Sequence, residues 1–269
     1  MAAGRFLGVP ALVHLAGGEL VAFKNIGYGG ALRWRDRRAN RFTLANAALV
    51  TAASAPMLAL AERDGIFARR IPLGVDLDAW PVREPRARAP AEVPHLLHVA
   101  SINHVKNPEL LLHATALLRR SGHPLHVDMI GEDIRGGEMQ RLAARLGIDA
   151  QVTFHGFRTQ TQLRPLVDAA HVHVVSSFHE AGPLAMLEAA VAGIPTVGTS
   201  VGHVVEWAPD AAICVAGFEP ASLAAGIARV IADDPLRLNL AHAAQRRAIA
   251  ENADVTARLF EEGYAELTS

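Results

Sequence analysis

From Leu96 onward, short apolar runs alternate with longer stretches whose apolar positions recur at helical spacing. The short runs span 96–102, 125–131, 152–157, 172–177, 195–200 and 212–216. The helical stretches span 107–120, 138–147, 160–170, 183–193 and 219–234. Strands that alternate with helices indicate βαβ units and a parallel sheet covered on both faces. The pattern therefore predicts an α/β fold with a complete, doubly wound, Rossmann-like domain.

The first 80 residues follow this pattern only in part. Strands are predicted at 10–16, 48–54 and 68–74, with helices near 39–47 and 55–64. Because so few elements make a poor independent domain, we predict a partial Rossmann-like domain over 1–81 and the complete one over 82–253. The proline-rich segment 81–94 fits a linker or solvated loop. Helices are also predicted at 236–253 and 256–267, and the C-terminal one, within 254–269, is expected to pack on the partial domain.

Bulk composition narrows the classes of function without choosing among them. The chain has 269 residues, of which 51% are apolar, so it can build a sizeable core. A formal net charge of −1 gives no global attraction to nucleic acid, and no nucleic-acid partner is predicted. The single cysteine, Cys214, cannot form an intramolecular disulfide and reads as an inert thiol in a strand. A cytoplasmic location is the simplest prediction.

The segment 177–196, SFHEAGPLAMLEAAVAGIPT, places two carboxylates in an otherwise apolar stretch. It begins where a predicted strand ends, at the sheet edge where ligands of open parallel sheets bind. Pro183 suits the first position of a helix, whose free amides favour an anion such as phosphate. Glu180 has a plainer interpretation as an acidic residue beside a helix N-terminus. Glu188, which could also be an exposed surface residue, is the only polar side chain in its helix and therefore needs a partner or a function.

This segment resembles the donor-site signature of family 4 retaining glycosyltransferases with the GT-B fold. The matching residues are Ser177, Glu180, Pro183, Leu187, Glu188 and Ala189, followed by Gly193, Pro195, Gly202 and Glu206. The resemblance extends from about Gly8 to Leu267. It implies a GT-B fold and transfer of a sugar from a nucleotide-sugar with retained configuration. Because the donor is a substrate, no cofactor is predicted, and because the histidines form no ligand cluster at metal-binding spacing, no metal is predicted.

The resemblance also implies roles for individual residues. Glu188 is expected to bind the ribose hydroxyls, and Glu180 is expected to lie beside the transferred sugar. Glu180 and His14 are the catalytic candidates. The residues expected to bind the donor are Ser101, Lys106, Gly131, Gly156, Phe157, Arg158, Glu180, Ala181, Gly182, Pro183, Leu184 and Glu188. Gly17 and Gly18 are expected on the acceptor side.

Several positions depart from the family pattern. Ser101 stands where the family has an arginine, which removes one bidentate phosphate contact, whereas Lys106 matches the family's lysine. The usual histidine position falls on Ala16, and His14 lies two residues earlier, so an alternative interpretation of His14 is a hydrogen-bonded strand histidine. Phe157 fits core packing as well as contact with a nucleobase.

Alternatives of other classes remain open from the sequence. Family members usually extend further at the N-terminus, so a partner polypeptide that supplies further strands, or a homo-oligomer, is one expectation. A non-catalytic nucleotide-sugar-binding or scaffold protein is another, as is one half of a split glycosyltransferase. A Rossmann dehydrogenase is disfavoured because no G-x-G-x-x-G opens a helix. The arginine-rich run 33–41 fits a solvated loop or helix start, with contact to an anionic acceptor or to lipid headgroups at the inner membrane face as its functional alternative.

Overall fold

The computed structural model describes residue 4 and residues 7–268. In this part of the chain the strands are β1 Leu12–Leu15, β2 Leu49–Ala52, β3 Arg69–Arg70, β4 His95–Val99, β5 His126–Ile130, β6 Val152–Gly156, β7 Val172–Val175, β8 Thr196–Thr199 and β9 Ala212–Val215. The helices are α1 Trp34–Ala45, α2 Ala55–Arg63, α3 Pro108–Arg120, α4 Glu138–Leu146, α5 Gln160–Ala169, α6 Leu184–Val191, α7 Gly202–Trp207, α8 Pro220–Ala232, α9 Asp234–Ala250 and α10 Ala253–Thr268. The α/β fold predicted from the periodicity is confirmed.

The strands form two parallel sheets. The larger sheet has the order β6-β5-β4-β7-β8-β9, and the smaller one has the order β1-β2-β3. In the larger sheet the strand order reverses between β4 and β7, which pair directly through Leu96 and Val172. In an open parallel sheet such a reversal leaves a crevice at the carboxyl ends of the two strands, where ligands bind. The topology therefore directs attention to the loops that follow β4 and β7.

Apolar side chains cover both faces of the larger sheet. On one face Leu96 and Val127, both at 0% exposure, pack in a cluster that includes α3 and α8 residues. On the other face Leu97 packs in a cluster that includes residues of α6 and α9. Neighbouring residues of one strand thus lie in different cores, which explains why the strands read as continuous apolar runs.

The smaller sheet has its own core, and the loop after β7 contributes to it. Ala181, in that loop, packs with Leu15 and Met57 of the smaller sheet's cluster. The Ser54 hydroxyl donates a hydrogen bond to the Ala181 carbonyl. The loop that carries Glu180 is therefore held by both halves of the molecule.

The last helices connect the two sheets. Phe260 of α10 lies edge-on to His14 of β1, with ring centroids 5.7 Å apart. After α9, Glu251 receives hydrogen bonds of 2.6 and 2.9 Å from the Arg70 guanidinium of β3. Arg70 also lies 3.1 Å from Glu206 of α7, so it joins the smaller sheet to two segments of the larger unit.

Two elements differ from the sequence-based prediction. The first helix spans 34–45 rather than 39–47, because the arginine-rich run is helical and arginine has high helix propensity. Residues 202–207 form a short helix that the helical periodicity does not predict. Val204 and Trp207 of this helix are buried, so packing stabilises a sequence of low intrinsic helix propensity. Within the described residues no helix is long and apolar enough to cross a membrane.

Candidate functional site

Glu180 is held at the crevice by groups from two strand ends. Its Oε1 atom lies 2.7 Å from Nζ of Lys106, in the loop after β4. The same oxygen accepts a hydrogen bond of 2.6 Å from Oγ of Ser177, at the end of β7. The Glu180 and Lys106 side chains are 11% and 27% exposed. The pair is largely withdrawn from water, so its electrostatic interaction is stronger than that of a surface pair.

A first cavity of about 120 Å³ opens beside this ion pair. Its walls are the end of β4, the Lys106 side chain, Ser177 and Glu180, and residues 183–185 at the start of α6. Pro183 precedes the helix with extended backbone angles, and the helix itself begins at Leu184. The first amides of an α-helix have no intrahelical acceptor and carry the positive end of the helix dipole. An ammonium group and a helix N-terminus at one small cavity suit an anion of phosphate size.

A second cavity, of about 450 Å³, adjoins the first. Leu184 borders both of them, so the two cavities are neighbours at α6, and the pair is called the cleft below. The second cavity is lined by Gly74, Val75, Asp76, Ala79, Trp80, Arg158, Gln160, Leu163, Leu184 and Glu188. It combines apolar walls with a carboxylate and a guanidinium, as a pocket for a polar ring system requires.

Glu188 shares this second cavity with a tryptophan that sequence reasoning missed. Burial raises the pKa of Glu188 above its ordinary value, and a hydrogen bond from Trp80 partly offsets this. Trp80 is positioned by a turn in which Oδ1 of Asp76 accepts the amides of Asp78 and Ala79 at 2.9 and 3.1 Å. Trp80 and Glu188 are 108 positions apart in the sequence, so local spacing does not reveal their contact.

The comparisons with known proteins agree with this architecture. The sequence profile of the family described as glycosyl transferases group 1 matches residues 83–247. The chain belongs to this family.

The relatives extend beyond the region that this chain covers. The chain is 32% identical over 221 residues to D-inositol 3-phosphate glycosyltransferase of Streptomyces bingchenggensis (strain BCW-1), a match that covers 73% of this chain and 48% of that protein. It is 36% identical over 140 residues to the enzyme of that name from Arthrobacter sp. (strain FB24), covering 49% and 33%. The chain thus spans half or less of these curated relatives.

Solved structures support the fold. Sucrose-phosphate synthase from Thermosynechococcus elongatus superposes with a TM-score of 0.84 at 23% identity, over 99% of this chain and 71% of that one. Anabaena HepE, solved in complex with UDP and glucose, gives 0.81 at 19% identity, over 98% and 74%. At these identities the agreement concerns the GT-B-type fold, which is thereby confirmed.

In this member of the group 1 family, not all of the other residues predicted to bind the donor line the two cavities. Arg158 lines the second cavity, while Phe157 next to it is 71% exposed, so the core-packing interpretation of Phe157 is wrong. Gly131 and Gly156 follow β5 and end β6, and both have positive φ angles, of 149° and 67°. A side chain at Gly131 would meet the Ala100 carbonyl oxygen at 2.0 Å, so this glycine permits a close backbone approach.

Ser101 is exposed and does not line either cavity. The Lys106 loop beside it is instead shaped by Asn103, whose Oδ1 atom accepts the Lys106 amide at 3.0 Å. The position where the family carries an arginine therefore contributes no side chain to the cavity walls, and the cation of the first cavity is Lys106.

Gly182 lies at a crowded point between the loop and the rest of the protein. A Cβ atom at this position would be 2.9 Å from Nε2 of His203 and 3.2 Å from Cβ of Ala53. His203 is fixed in turn by Glu206, whose Oε2 atom lies 3.0 Å from its Nδ1 atom. Only glycine leaves room for this packing, which sets the position of Pro183 and of the helix N-terminus.

The acceptor-side candidates are divided between the cleft and the smaller sheet. His14 is hydrogen-bonded through Nδ1 to Oγ1 of Thr51 at 2.9 Å and lines neither cavity of the cleft. This fits the alternative interpretation of a hydrogen-bonded strand histidine. The Gly17 carbonyl, in contrast, lies 2.9 Å from Nε2 of His179, the residue before Glu180. The turn that contains Gly17 and Gly18, called the Gly-rich turn here, therefore directly contacts the loop that carries Glu180.

Tyr28 lies close enough to Glu180 to interact with its charge, and the sequence did not single it out. A Cβ atom at Gly18 would lie 3.0 Å from the Tyr28 hydroxyl, so the ring packs on the Gly-rich turn. Burial raises the pKa of the Tyr28 phenol, and the carboxylates of Glu180 and Glu19 raise it further. Tyr28 ends a small hairpin with Phe23, and its proximity to Glu180 arises only when the two halves meet.

The arginine-rich run lies away from this cleft. Helix α1 borders a cavity of about 1230 Å³ that also includes residues 47–50, at the amino end of β2. Ligands of parallel sheets bind at the carboxyl ends, where Glu180 lies. A role for these arginines as a cradle for the sugar acceptor is not supported by this placement.

Proposed function

We propose that the chain binds a nucleotide-sugar in the cleft along α6 and transfers the sugar to an acceptor with retained configuration, as a family 4 glycosyltransferase. The observation that carries the proposal is the placement of three charged groups at two neighbouring cavities. Lys106 and Glu180 lie at the first cavity, Glu188 lies at the second, and Leu184 borders both. A nucleotide-sugar has a ribose, a diphosphate and a transferred sugar in that order. Glu188, Lys106 and Glu180 offer a carboxylate, a cation and a carboxylate to these three parts.

Each part of the donor has a chemically suitable partner. The diphosphate fits Lys106 and the N-terminus of α6, which would stabilise the negative charge that grows on the leaving group. The ribose diol can donate two hydrogen bonds to the Glu188 carboxylate. The transferred sugar fits next to Glu180, whose position is fixed by its two hydrogen bonds.

The relatives support the reaction class and suggest its partners. HepE was solved with UDP and glucose, which makes UDP-sugars the first donors to test. Curated relatives carry the name D-inositol 3-phosphate glycosyltransferase, which makes a phosphorylated polyol the first acceptor to test. Both assignments are proposals for this chain, since it spans at most about half of those relatives.

Binding and turnover should be measured separately on the purified chain. Calorimetry with UDP-, GDP- and ADP-sugars is expected to give binding by one nucleotide class and weak or no binding by the others. Release of the nucleoside diphosphate, followed with and without polyol phosphate, is expected to require the acceptor. Binding of none of the donors would contradict the proposal. Tight binding without release under any acceptor would favour the non-catalytic alternative.

We also propose a peripheral contact between α1 and an anionic membrane surface. The cavity beside α1 is lined by Arg37, Arg38, Arg41, Arg63 and Arg69, and includes Trp34 and Phe67, which are 57% and 91% exposed. Arginines beside exposed aromatic side chains suit lipid headgroups. Co-sedimentation with vesicles is expected to require anionic phospholipid and to weaken in 0.5 M salt, roughly as charge screening predicts. Equal binding to neutral vesicles would contradict this contact.

A further inference from the structure

His98 of β4 is a buried titratable group at the first cavity with an unused nitrogen. Its ring is 2% exposed and lines that cavity. Nδ1 lies 3.0 Å from the Val174 carbonyl oxygen. A carbonyl can only accept, so Nδ1 carries the hydrogen and Nε2 of the neutral ring is a bare acceptor. Nε2 is buried and has no hydrogen-bond partner among the described residues.

An unpartnered buried nitrogen requires an explanation. Leaving such a group unsatisfied destabilises the folded protein. The position lies in the middle of the apolar strand run 96–102, where an aliphatic side chain would carry no such cost. The histidine is therefore better explained by a role toward a ligand at this cavity than by packing.

Burial, more than the charged groups around the ring, favours the neutral form of His98. Burial is the largest cause that lowers its pKa, and the Lys106 ammonium lowers it further, while the Glu180 carboxylate acts in the opposite sense. The other histidine of this cavity, His173, is bonded through Nδ1 to Oγ1 of Thr196 at 3.1 Å. Burial lowers the pKa of His173 to about 3, so it remains neutral as well. The α6 residues at the cavity, 183–185, carry no titratable side chain.

A bound diphosphate would favour the protonated form of His98 over the neutral form. Its negative charges would lie in the same cavity as the ring and would neutralise the effect of Lys106. In a site of low dielectric constant, a nearby anion favours the charged form of a base. The family's arginine position is Ser101, whose side chain lies outside the cavity, so Lys106 alone among the described cavity-lining side chains is a permanent cation.

We propose that His98 takes up a proton when the first cavity binds a diphosphate, and so provides a second positive charge beside Lys106. This inference rests on the proposed function, because it assigns the cavity to the diphosphate of the donor. His98 acts as a positioning residue for that group through its charge. The proton comes from solvent and is returned when the nucleoside diphosphate leaves.

Proton uptake has a thermodynamic consequence. Because the complex holds more protons than the free protein, affinity for the diphosphate rises as pH falls from about 8 to 6, by at most tenfold per pH unit for one proton. A nucleoside without phosphate shows no such dependence. A purely structural histidine would not produce this difference between the two ligands.

The test is calorimetry of the wild-type chain with UDP, GDP, ADP and inorganic pyrophosphate at pH 6.5. Each titration is run in two phosphate-free buffers that differ in their enthalpy of ionisation, so that the dependence of the heat on the buffer counts the protons taken up. We expect the wild type to take up as much as one proton more than H98Q or H98F, in which only the terminal phosphate of the ligand, with a second pKa of about 6, changes its protonation. His173→Gln, at the same cavity, is the matched control and is expected to keep the uptake.

Carbon-detected titration of the His98 ring by NMR, with and without UDP, provides a readout that needs no variant. Binding without proton uptake, or equal uptake in H98Q, would overturn the inference while leaving the proposed function intact. Pyrophosphate binding with uptake but no nucleotide binding would support the inference and contradict the proposed nucleotide site. Absence of binding by all four probes would overturn both.

Discussion

Replacing Lys106 with methionine is expected to lower affinity for a nucleoside diphosphate by about two to three orders of magnitude. The lost charge-assisted hydrogen bond accounts for about 1.5–3 kcal/mol, which corresponds to roughly 10- to 150-fold. The remainder of the expected loss of affinity comes from Glu180. Its carboxylate, which lies 2.7 Å from the Lys106 ammonium in the wild type, would repel the diphosphate once that ammonium is removed. Calorimetry with UDP, alongside uridine as the ligand without phosphates, measures the effect.

Two variants separate this effect from damage to the fold. Lys106→Arg keeps the positive charge and should stay within about tenfold of wild type, because it loses geometry rather than charge. The double variant Lys106→Met with Glu180→Gln removes the unpaired carboxylate, so it should recover thermal stability without recovering UDP affinity. Equal losses for uridine and UDP in Lys106→Met would indicate a general defect and contradict a specific diphosphate role.

The elements of the fold could be predicted because their signals are local. Alternating apolar runs and helical periodicity indicated the strands and most helices of the larger sheet, with boundaries that differ by a few residues. The strand predicted at 96–102 spans 95–99, since its last positions belong to the loop that carries Lys106. Residues 202–207 were missed as a helix because buried contacts, rather than propensity, stabilise them.

The candidate site was predictable where its residues share one segment. Glu180, the start of α6 and Glu188 lie within nine residues of one another, so their spacing carries the information. The hydrogen bond from Trp80 to Glu188 and the contact of His179 with Gly17 join distant segments. In the sequence His98 resembles any polar residue in a buried strand, and only the folded structure shows that its Nε2 atom has no hydrogen-bond partner in the described part of the chain.

Two titratable groups at the cleft, His98 and Glu188, should change the affinity for a nucleoside diphosphate in opposite directions as the pH falls. If His98 and Glu188 have the proposed roles, protonation of His98 should strengthen diphosphate binding as pH falls, whereas protonation of Glu188 should remove a hydrogen-bond acceptor and weaken ribose binding. Because the pKa of Glu188 is raised by burial, its effect begins at a higher pH than for an exposed glutamate. In H98Q only the decline on acidification should remain, which isolates the contribution of Glu188.

Replacing Glu188 with alanine is expected to weaken nucleotide binding by roughly one to two orders of magnitude, the equivalent of about 1.5–3 kcal/mol for a charge-assisted hydrogen bond. The thermal stability of the Glu188→Ala variant, in contrast, should not fall at neutral pH. A carboxyl group whose pKa is raised in the folded state contributes stability below its unfolded pKa, and that contribution is lost as pH rises through the folded pKa. At pH 7 the variant should therefore unfold at or slightly above the wild-type temperature.

The ribose role of Glu188 can be tested on the ligand as well as on the protein. UDP and its 2′,3′-dideoxy analogue should differ by about tenfold or more in affinity for the wild type, and by little in Glu188→Ala, because the carboxylate and the diol act on each other. Trp80→Phe is the matched control, since it removes the hydrogen bond to Glu188 but keeps an aromatic wall at the second cavity. It should preserve the discrimination between the two ligands. If the wild type bound both ligands equally, Glu188 would not bind the ribose, and its isolation in an apolar helix would need another cause.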